Sequence, residues 1–285
     1  MDAVSLRQAC AAAIDGYDGG YFHGCDWLRA AFMEVPREHF VPDRVWWPNP
    51  QDGHYPLLDR TERPRQWLKA VYRPLAALIT QIDDGRVRPE DGPATGGSFT
   101  SSISCSAVIV DMLHHLGPQP YEKVLEIGTG SGYTTALLAH RVGAGNVVTM
   151  EIDDGLAERA AGNLTALDLT PRTVVGDGEA GYAAAAPYDR ILSTAAVRDI
   201  PAAWPKQVRP GGVIVTPLDT PYATDALLKL VCDGHGNATG HLIKAVSFMK
   251  TRAQRPRRSY EDLGWPGWTD HHVTIGPDGQ HIRTT

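Results

Sequence analysis

From Tyr121 to about Lys250 the chain alternates between two hydrophobic periods, and that alternation limits the possible folds more than any other feature. "KVLEIG" is a short apolar run of strand type, and "YTTALLAHRV" after it has helical spacing. "NVVTMEI" is a second strand, followed by a helix through "DGLAERAAGNLTAL". "RTVVGDG", "YDRILSTAA" and "GGVIVTPL" are three more strands, with "IPAAWPKQV" as a short helix before the last. Such alternation requires crossover connections, hence a parallel sheet covered on both faces. The end breaks the rule. "ALLKLVCDG" and "HLIKAVSFMK" are strand-like runs joined by a short Gly/Asn loop, which predicts an antiparallel hairpin. Five strands of the parallel kind closed by a hairpin give an α/β, Rossmann-like sheet of seven strands. A dinucleotide fold more often continues with parallel units.

The first strand runs into "VLEIGTGSGY", with Gly128, Gly130 and Gly132 at alternate positions. Strand, glycines, then helix describes a nucleotide-type site: glycines let the backbone approach a ligand, and the helix start supplies N–H groups. A P-loop would need Gly-Lys-Ser/Thr, which is absent. The dinucleotide fingerprint is G-x-G-x-x-G, whereas here the spacing is G-x-G-x-G with Glu126 two positions ahead. A carboxylate there is unfavourable beside a pyrophosphate and suits a ligand carrying an ammonium and a sulfonium, as S-adenosylmethionine does. A plain structural turn is the bland alternative. Glu151, ending the second strand, can accept from ribose hydroxyls, although NAD enzymes use the same device. Asp177 in "GDG" reads either as a partner for an adenine amino group or as a plain turn aspartate.

Composition narrows the class. The 285 residues suffice for one large domain or a domain with an appendage, and 42% hydrophobic content supports a core. A net charge of −6 argues against a nucleic-acid binder acting by bulk charge. No run of about 18 apolar residues could span a membrane. The alanine-rich N-terminus, flanked by Asp2 and Asp15, reads as an amphipathic helix and not a signal peptide. Cys10, Cys25, Cys105 and Cys232 are far apart, which fits free thiols in a reducing, cytoplasmic compartment. The adjacent pairs His114-His115 and His271-His272 point apart and are poor metal ligands, so no metal site is expected.

"VLEIGTGSGYTTALLA", "NVVTMEI", "VVGDGEAGY", "APYDRILSTAA" and "PGGVIVTP", in that order, resemble protein-L-isoaspartate O-methyltransferases, as does "VPREHFVP" upstream. The resemblance spans roughly Met33 to Lys250, less an insertion. It implies the seven-stranded class I S-adenosylmethionine-dependent methyltransferase fold, that cofactor as methyl donor, and a peptide aspartyl-type carboxylate as acceptor. The cofactor set it suggests is Ser101, Ser102, Glu126, Gly128, Thr129, Gly130, Gly132, Glu151, Ile152, Asp177 and Gly178. The family's Thr-Ile-Ser-x-Pro signature falls on Ser102 to Ser106, so Ser104 matches its active-site serine and Ser106 stands where the family has proline. Read from the residues alone, "TSSIS" is also a good N-cap for the helix "CSAVIVDMLHHL".

"GGSFTSSIS" without the proline, "YRPLAALITQIDDG", "IPAAWPKQVRPGG" and "GWPGWTDHHVTIGPDGQ" resemble a specialised branch. Its members accompany ribosomally made, modified peptides such as graspetides, lanthipeptides and lasso peptides. The branch implies esterification of an aspartate in a modified precursor peptide, with closure to aspartimide or opening to isoaspartate. General isoaspartyl repair is the alternative, and a non-catalytic precursor-binding partner a second. The expected organisation is an N-terminal helical region with a loop-rich insertion over 1–100, a methyltransferase core over 101–250, and an appendage over 251–285 that could touch substrate. Within insertion and tail, Arg60, Arg63, Arg65, Lys69, Arg73, Arg252, Arg255, Arg257 and Arg258 accompany Trp46, Trp47, Trp67, Trp265 and Trp268. They read either as a groove for an acidic peptide or as solvated loops with packed tryptophans.

Overall fold

The computed structural model describes residues 2–17, 21–222, 224–255 and 270–284. Two helices, α1 (Ala3–Asp15) and α2 (Asp26–Glu34), and a short turn of helix, α3 (Arg37–Phe40), open the chain. Asp2 caps α1 by accepting from Ser5 N at 2.8 Å, and Cys10, Ala11 and Ile14 line its buried face.

The segment expected to be loop-rich holds regular structure. Strands β1 (Arg44–Trp46), β2 (Leu57–Asp59) and β3 (Leu78–Ile82) pair antiparallel with β4 (Phe99–Ile103) in the order β2-β1-β3-β4, and helix α4 (Pro64–Val71) lies between β2 and β3 in sequence. The strands run to three to five residues, too short for a period-two pattern to show. The serine run thus belongs to a strand of this sheet. Helix α5 (Ser106–Leu116) begins only after it, and its N-cap residue Cys105 makes no side-chain capping bond.

The core follows the predicted alternation: β5 (Val124–Ile127), α6 (Tyr133–Val142), β6 (Val147–Glu151), α7 (Asp154–Thr165), β7 (Arg172–Val175), β8 (Tyr188–Ser193), α8 (Ala203–Lys206), β9 (Val208–Asp219), β10 (Asp225–Cys232) and β11 (Ala238–Val246). The seven strands lie in the order β11-β10-β9-β8-β5-β6-β7. β5 is parallel to β6 and β8, while β10 runs antiparallel to β9 and β11, the predicted hairpin. Every residue of β5 and β6 is buried, as expected of strands covered on both faces. The chain leaves β5 toward β6 on one side and returns to β8 on the other. The carboxyl end of β5 is therefore the switch point where α/β sheets form their ligand crevice. Beyond the core, β12 (His271–Gly276) and β13 (Gly279–Thr284) pair as an antiparallel hairpin turning at "GPDG".

Candidate active site

A cavity of about 780 Å³ opens at that switch point. Its floor is the glycine turn. Gly128 N and Thr129 N both donate to Met150 O, at 2.8 and 3.1 Å, which folds the turn back onto β6. Gly128 has φ +89, and a Cβ there would lie 2.7 Å from Thr194 Oγ1, so only glycine fits. Gly130 lies beside Ser102 O, 3.8 Å from where its Cβ would be, so β4 and the turn face each other across the cavity.

Glu151 stands at the mouth of β6 with 8% of its surface exposed. Its carboxylate accepts from Gly130 N at 2.9 Å, Ile152 N at 2.9 Å and Asp153 N at 3.2 Å. Burial raises its pKa, and the three N–H groups oppose that rise. Ile152, 36% exposed, leaves an apolar surface on the cavity beside it. Asp177 and Gly178 complete this end. Asp177 does take a turn N–H, from Glu179 at 3.0 Å, while lining the cavity as well. Gly178 packs on Ile127, leaving no room for a side chain. A carboxylate, an apolar ledge, a second carboxylate and bare backbone fit a nucleoside with free ribose hydroxyls and an exocyclic amine. The turn itself carries no lysine of the P-loop kind.

The structure brings Ser101, Ser102, Ser104, Gly128, Thr129, Gly130, Glu151, Ile152, Asp177 and Gly178 to one cavity. It leaves out two expected residues. Glu126 is 0% exposed, and its Oε2 accepts from Thr135 Oγ1 at 2.5 Å and Thr149 Oγ1 at 2.8 Å. Strand parity is the reason: successive side chains point to opposite faces, so Ile127 reaches the cavity and Glu126 points away from it. Thr129 Oγ1 joins the same cluster, 2.6 Å from Thr149 Oγ1, so Glu126 braces the turn from beneath. Burial pushes its pKa to about 7. Gly132 is the N-cap of α6, packed against Leu164, and its N–H donates to Thr129 O at 2.9 Å. It closes the turn without lining the cavity.

Opposite the turn lie Ser101 to Cys105. Ser101 Oγ accepts from Thr80 Oγ1 at 2.9 Å. Ser104 is only partly buried, and its carbonyl accepts from Arg37 Nη2 at 2.7 Å. Since α5 lacks a side-chain cap, the capping role read from "TSSIS" does not hold. Several wall residues left no local pattern in the sequence: Tyr17 and Tyr21, Thr194 and Ala195 after β8, and the strand end and strap from Lys244 to Arg252. The strap is tied down at Ala196, which donates to Met249 O at 2.8 Å and accepts from Thr251 N at 2.9 Å. Arg252 and Arg255 both reach Asp84 of the insertion, at 3.1 and 2.8 Å.

Of the two readings of the tryptophans, packing holds for Trp46 and Trp67, and Trp47 is partly buried. Trp46 and Trp67 are buried, their Nε1 groups donating to Gly92 O and Pro42 O. Arg60 stacks on Trp67 and Arg73 on Trp47. Arg257, Arg258, Trp265 and Trp268 lie outside the described residues. No helix among the described residues is long and apolar enough to cross a membrane.

The family model for protein-L-isoaspartate(D-aspartate) O-methyltransferase matches residues 91–254. The chain belongs to that family. Among its relatives are protein-L-isoaspartate O-methyltransferases of Staphylothermus marinus, 33% identical over 78% of this chain and 84% of the relative, and of Methylorubrum populi, 38% identical over 68% and 89%. Protein-L-isoaspartate O-methyltransferase 1 of Nitrosospira multiformis is 41% identical over 53% of this chain, and the match spans 64% of that relative's length. Solved structures agree on the fold. A protein-L-isoaspartate O-methyltransferase superposes with a TM-score of 0.64 at 22% identity, covering 86% of this chain and 65% of that one. A putative family member from Plasmodium falciparum, in complex with S-adenosyl-L-homocysteine, gives 0.61 at 14% identity, covering 88% and 99%. The architecture is thus the class I S-adenosylmethionine-dependent methyltransferase fold of this family.

Proposed function

We propose that the protein is an S-adenosylmethionine-dependent carboxyl O-methyltransferase acting on isoaspartyl residues of peptides and proteins. The observation that carries the reading is that Glu151 and Asp177 share one cavity with Ser104, so nucleoside and acceptor sites are contiguous. When bound, the cofactor supplies a sulfonium methyl group. Glu151 would accept from its ribose hydroxyls, Asp177 and Gly178 would hold the adenine end, and the Gly128–Gly130 turn would take its amino-acid end. Ser104 orients the acceptor carboxylate by donating a hydrogen bond, with Ser101 and Ser102 on the cofactor side. A carboxylate with a pKa of about 4 is ionised at neutral pH and needs no general base. The protein's work is to align the two partners and exclude water. The acceptor carboxylate oriented by Ser104 would take that methyl group on one oxygen, the electron pair of the broken sulfur–carbon bond staying with the sulfur. The products are a methyl ester and a neutral thioether.

The test pairs calorimetry with methyl transfer. S-adenosylhomocysteine is expected to bind, and an isoaspartyl peptide to be methylated faster than its aspartyl twin. Absence of S-adenosylhomocysteine binding would favour a non-catalytic, precursor-binding role.

A second reading is a dedicated maturation enzyme that esterifies an aspartate of a modified precursor, leading to aspartimide or isoaspartate. Pro48, Leu75, Ala77 and Ile79 of the insertion line the same cavity, so the insertion can touch the acceptor. The activity for which the family is named favours the first reading. A higher kcat/KM for a constrained precursor than for short isoaspartyl peptides would favour the second.

A further inference from the structure

Arg37 is 0% exposed. Its Nε donates to Val71 O at 2.9 Å and its Nη2 to Ser104 O at 2.7 Å. Nη1 is buried without a hydrogen-bond partner among the described residues. Both of its bonds go to neutral carbonyls. The neighbouring carboxylate, Glu38, is taken by Arg7 at 3.3 Å and by the Tyr72 hydroxyl. Two guanidinium groups against one carboxylate leave one positive charge over. The ring of Tyr133 lies 5.0 Å from the Arg37 guanidinium carbon, and its buried hydroxyl is also without a partner among the described residues. Cys10 and Cys105 add no negative charge, since burial raises both thiols.

A buried guanidinium without a counter-ion is costly. Its position gives a reason for keeping it: it holds the carbonyl of Ser104, a residue of the cavity wall, without lining the cavity itself. We infer that Arg37 is a positioning residue for the acceptor. It fixes the Ser104 peptide through its carbonyl, and its unneutralised charge is the complement of the acceptor carboxylate. The inference rests on the carboxyl-methyltransferase reading above.

The chemistry gives this role a distinct kinetic mark. The acceptor is negative when it binds, loses that charge as the ester bond forms, and leaves neutral. A fixed positive charge therefore favours the bound acceptor over the transition state and over the product. It should act on the acceptor's KM, leave kcat undiminished, and let the ester go.

The experiment compares wild type with Arg37→Gln and Arg37→Lys. Arg37→Gln is expected to raise the acceptor KM about tenfold or more, any fall in kcat reporting the released Ser104 peptide and not the lost charge. S-adenosylhomocysteine affinity and inhibition by the methyl-ester product should stay unchanged. Arg37→Lys, which keeps the charge, should recover most of the acceptor KM. Loss of packing alone would weaken carboxylate and ester binding together, and that result overturns the inference. A measurement on wild type stands apart from any folding defect. An isoaspartyl peptide should inhibit at least tenfold more tightly than its isosteric neutral amide, and equal affinity would overturn the proposal. A wild-type enzyme that methylates no isoaspartyl carboxylate takes down the acceptor reading and this inference together. An active wild type with an unchanged carboxylate-to-ester ratio in Arg37→Gln takes down this inference alone.

Discussion

Glu151 and Ser104 face the same cavity, yet the two walls that carry them are assembled in different ways. The Glu151 wall comes from consecutive pieces of one sheet: the turn after β5, the end of β6 and the turn after β7. Neighbouring peptide N–H groups hold it, from Gly130, Ile152 and Asp153. The Ser104 wall gathers a strand of the insertion's sheet, the loop after α1, the end of β11 and the strap beyond it. Its central contact, Arg37 to Ser104 O, spans 67 residues. One wall is local and backbone-built. The other is long-range and held by side chains, so the two should fail differently when perturbed.

The largest effect is expected at Glu151. Glu151→Ala removes the acceptor of three peptide N–H groups as well as the proposed ribose partner. Cofactor affinity should fall by about a hundredfold, near 3 kcal/mol. Calorimetric titration with S-adenosylhomocysteine measures it, and an unchanged affinity would remove Glu151 from the site.

Glu126 tests the support beneath the same wall. Its carboxyl titrates at 4.5 ordinarily and at about 7 when buried here. Between those values the folded protein holds a proton that the unfolded chain has released. Stability from this group is thus fully present below pH 4.5 and is lost as pH rises through 7. Glu126→Gln should flatten the fall by on the order of 2 kcal/mol. Denaturant unfolding of both proteins at several pH values gives the difference, and parallel pH profiles would refute the assignment.

On the other wall, Ser104→Ala should lower kcat about tenfold and leave S-adenosylhomocysteine binding alone. Because Ser104 does not cap α5, stability should change by less than about 0.5 kcal/mol. Wild-type turnover in the variant would end its orienting role.

The same contrast explains what could be read from the sequence. The core sheet was legible because its strands are continuous apolar runs flanked by glycine or helical spacing, and the turn because its glycines fall in one heptapeptide. Glu126 was misplaced for want of strand parity. Its spacing before Gly128 suits a ligand, but the face it occupies is set by the pleat. The insertion's sheet was missed because its strands are too short to show a period. Resemblance pointed to Ser104, which does line the cavity, whereas local rules read a cap, since "TSSIS" has the composition of a cap while Thr100 to Ile103 are strand and Ser104 follows it. Arg37 had no local signal at all: its partners, Val71 and Ser104, are distant in sequence.

The smallest effect is expected where the strap meets the insertion, and it bears on which acceptor the second wall selects. Asp84 holds Arg252 and Arg255 at the cavity's edge, and those arginines hold its carboxyl below the usual range, Arg255 most strongly. All three side chains are about one-third exposed, so the pairs should add under about 1 kcal/mol to stability. Asp84→Asn frees two cations beside the acceptor while leaving Glu151 and Ser104 in place. For an acceptor flanked by acidic residues, KM should fall about threefold at low salt, and the gain should vanish near 1 M salt, where screening acts within about 3 Å. An acceptor with neutral flanks should show no change. If both peptides bind more weakly in the variant, Asp84 serves to hold the strap closed, and the charge at the rim plays no part in choosing the peptide.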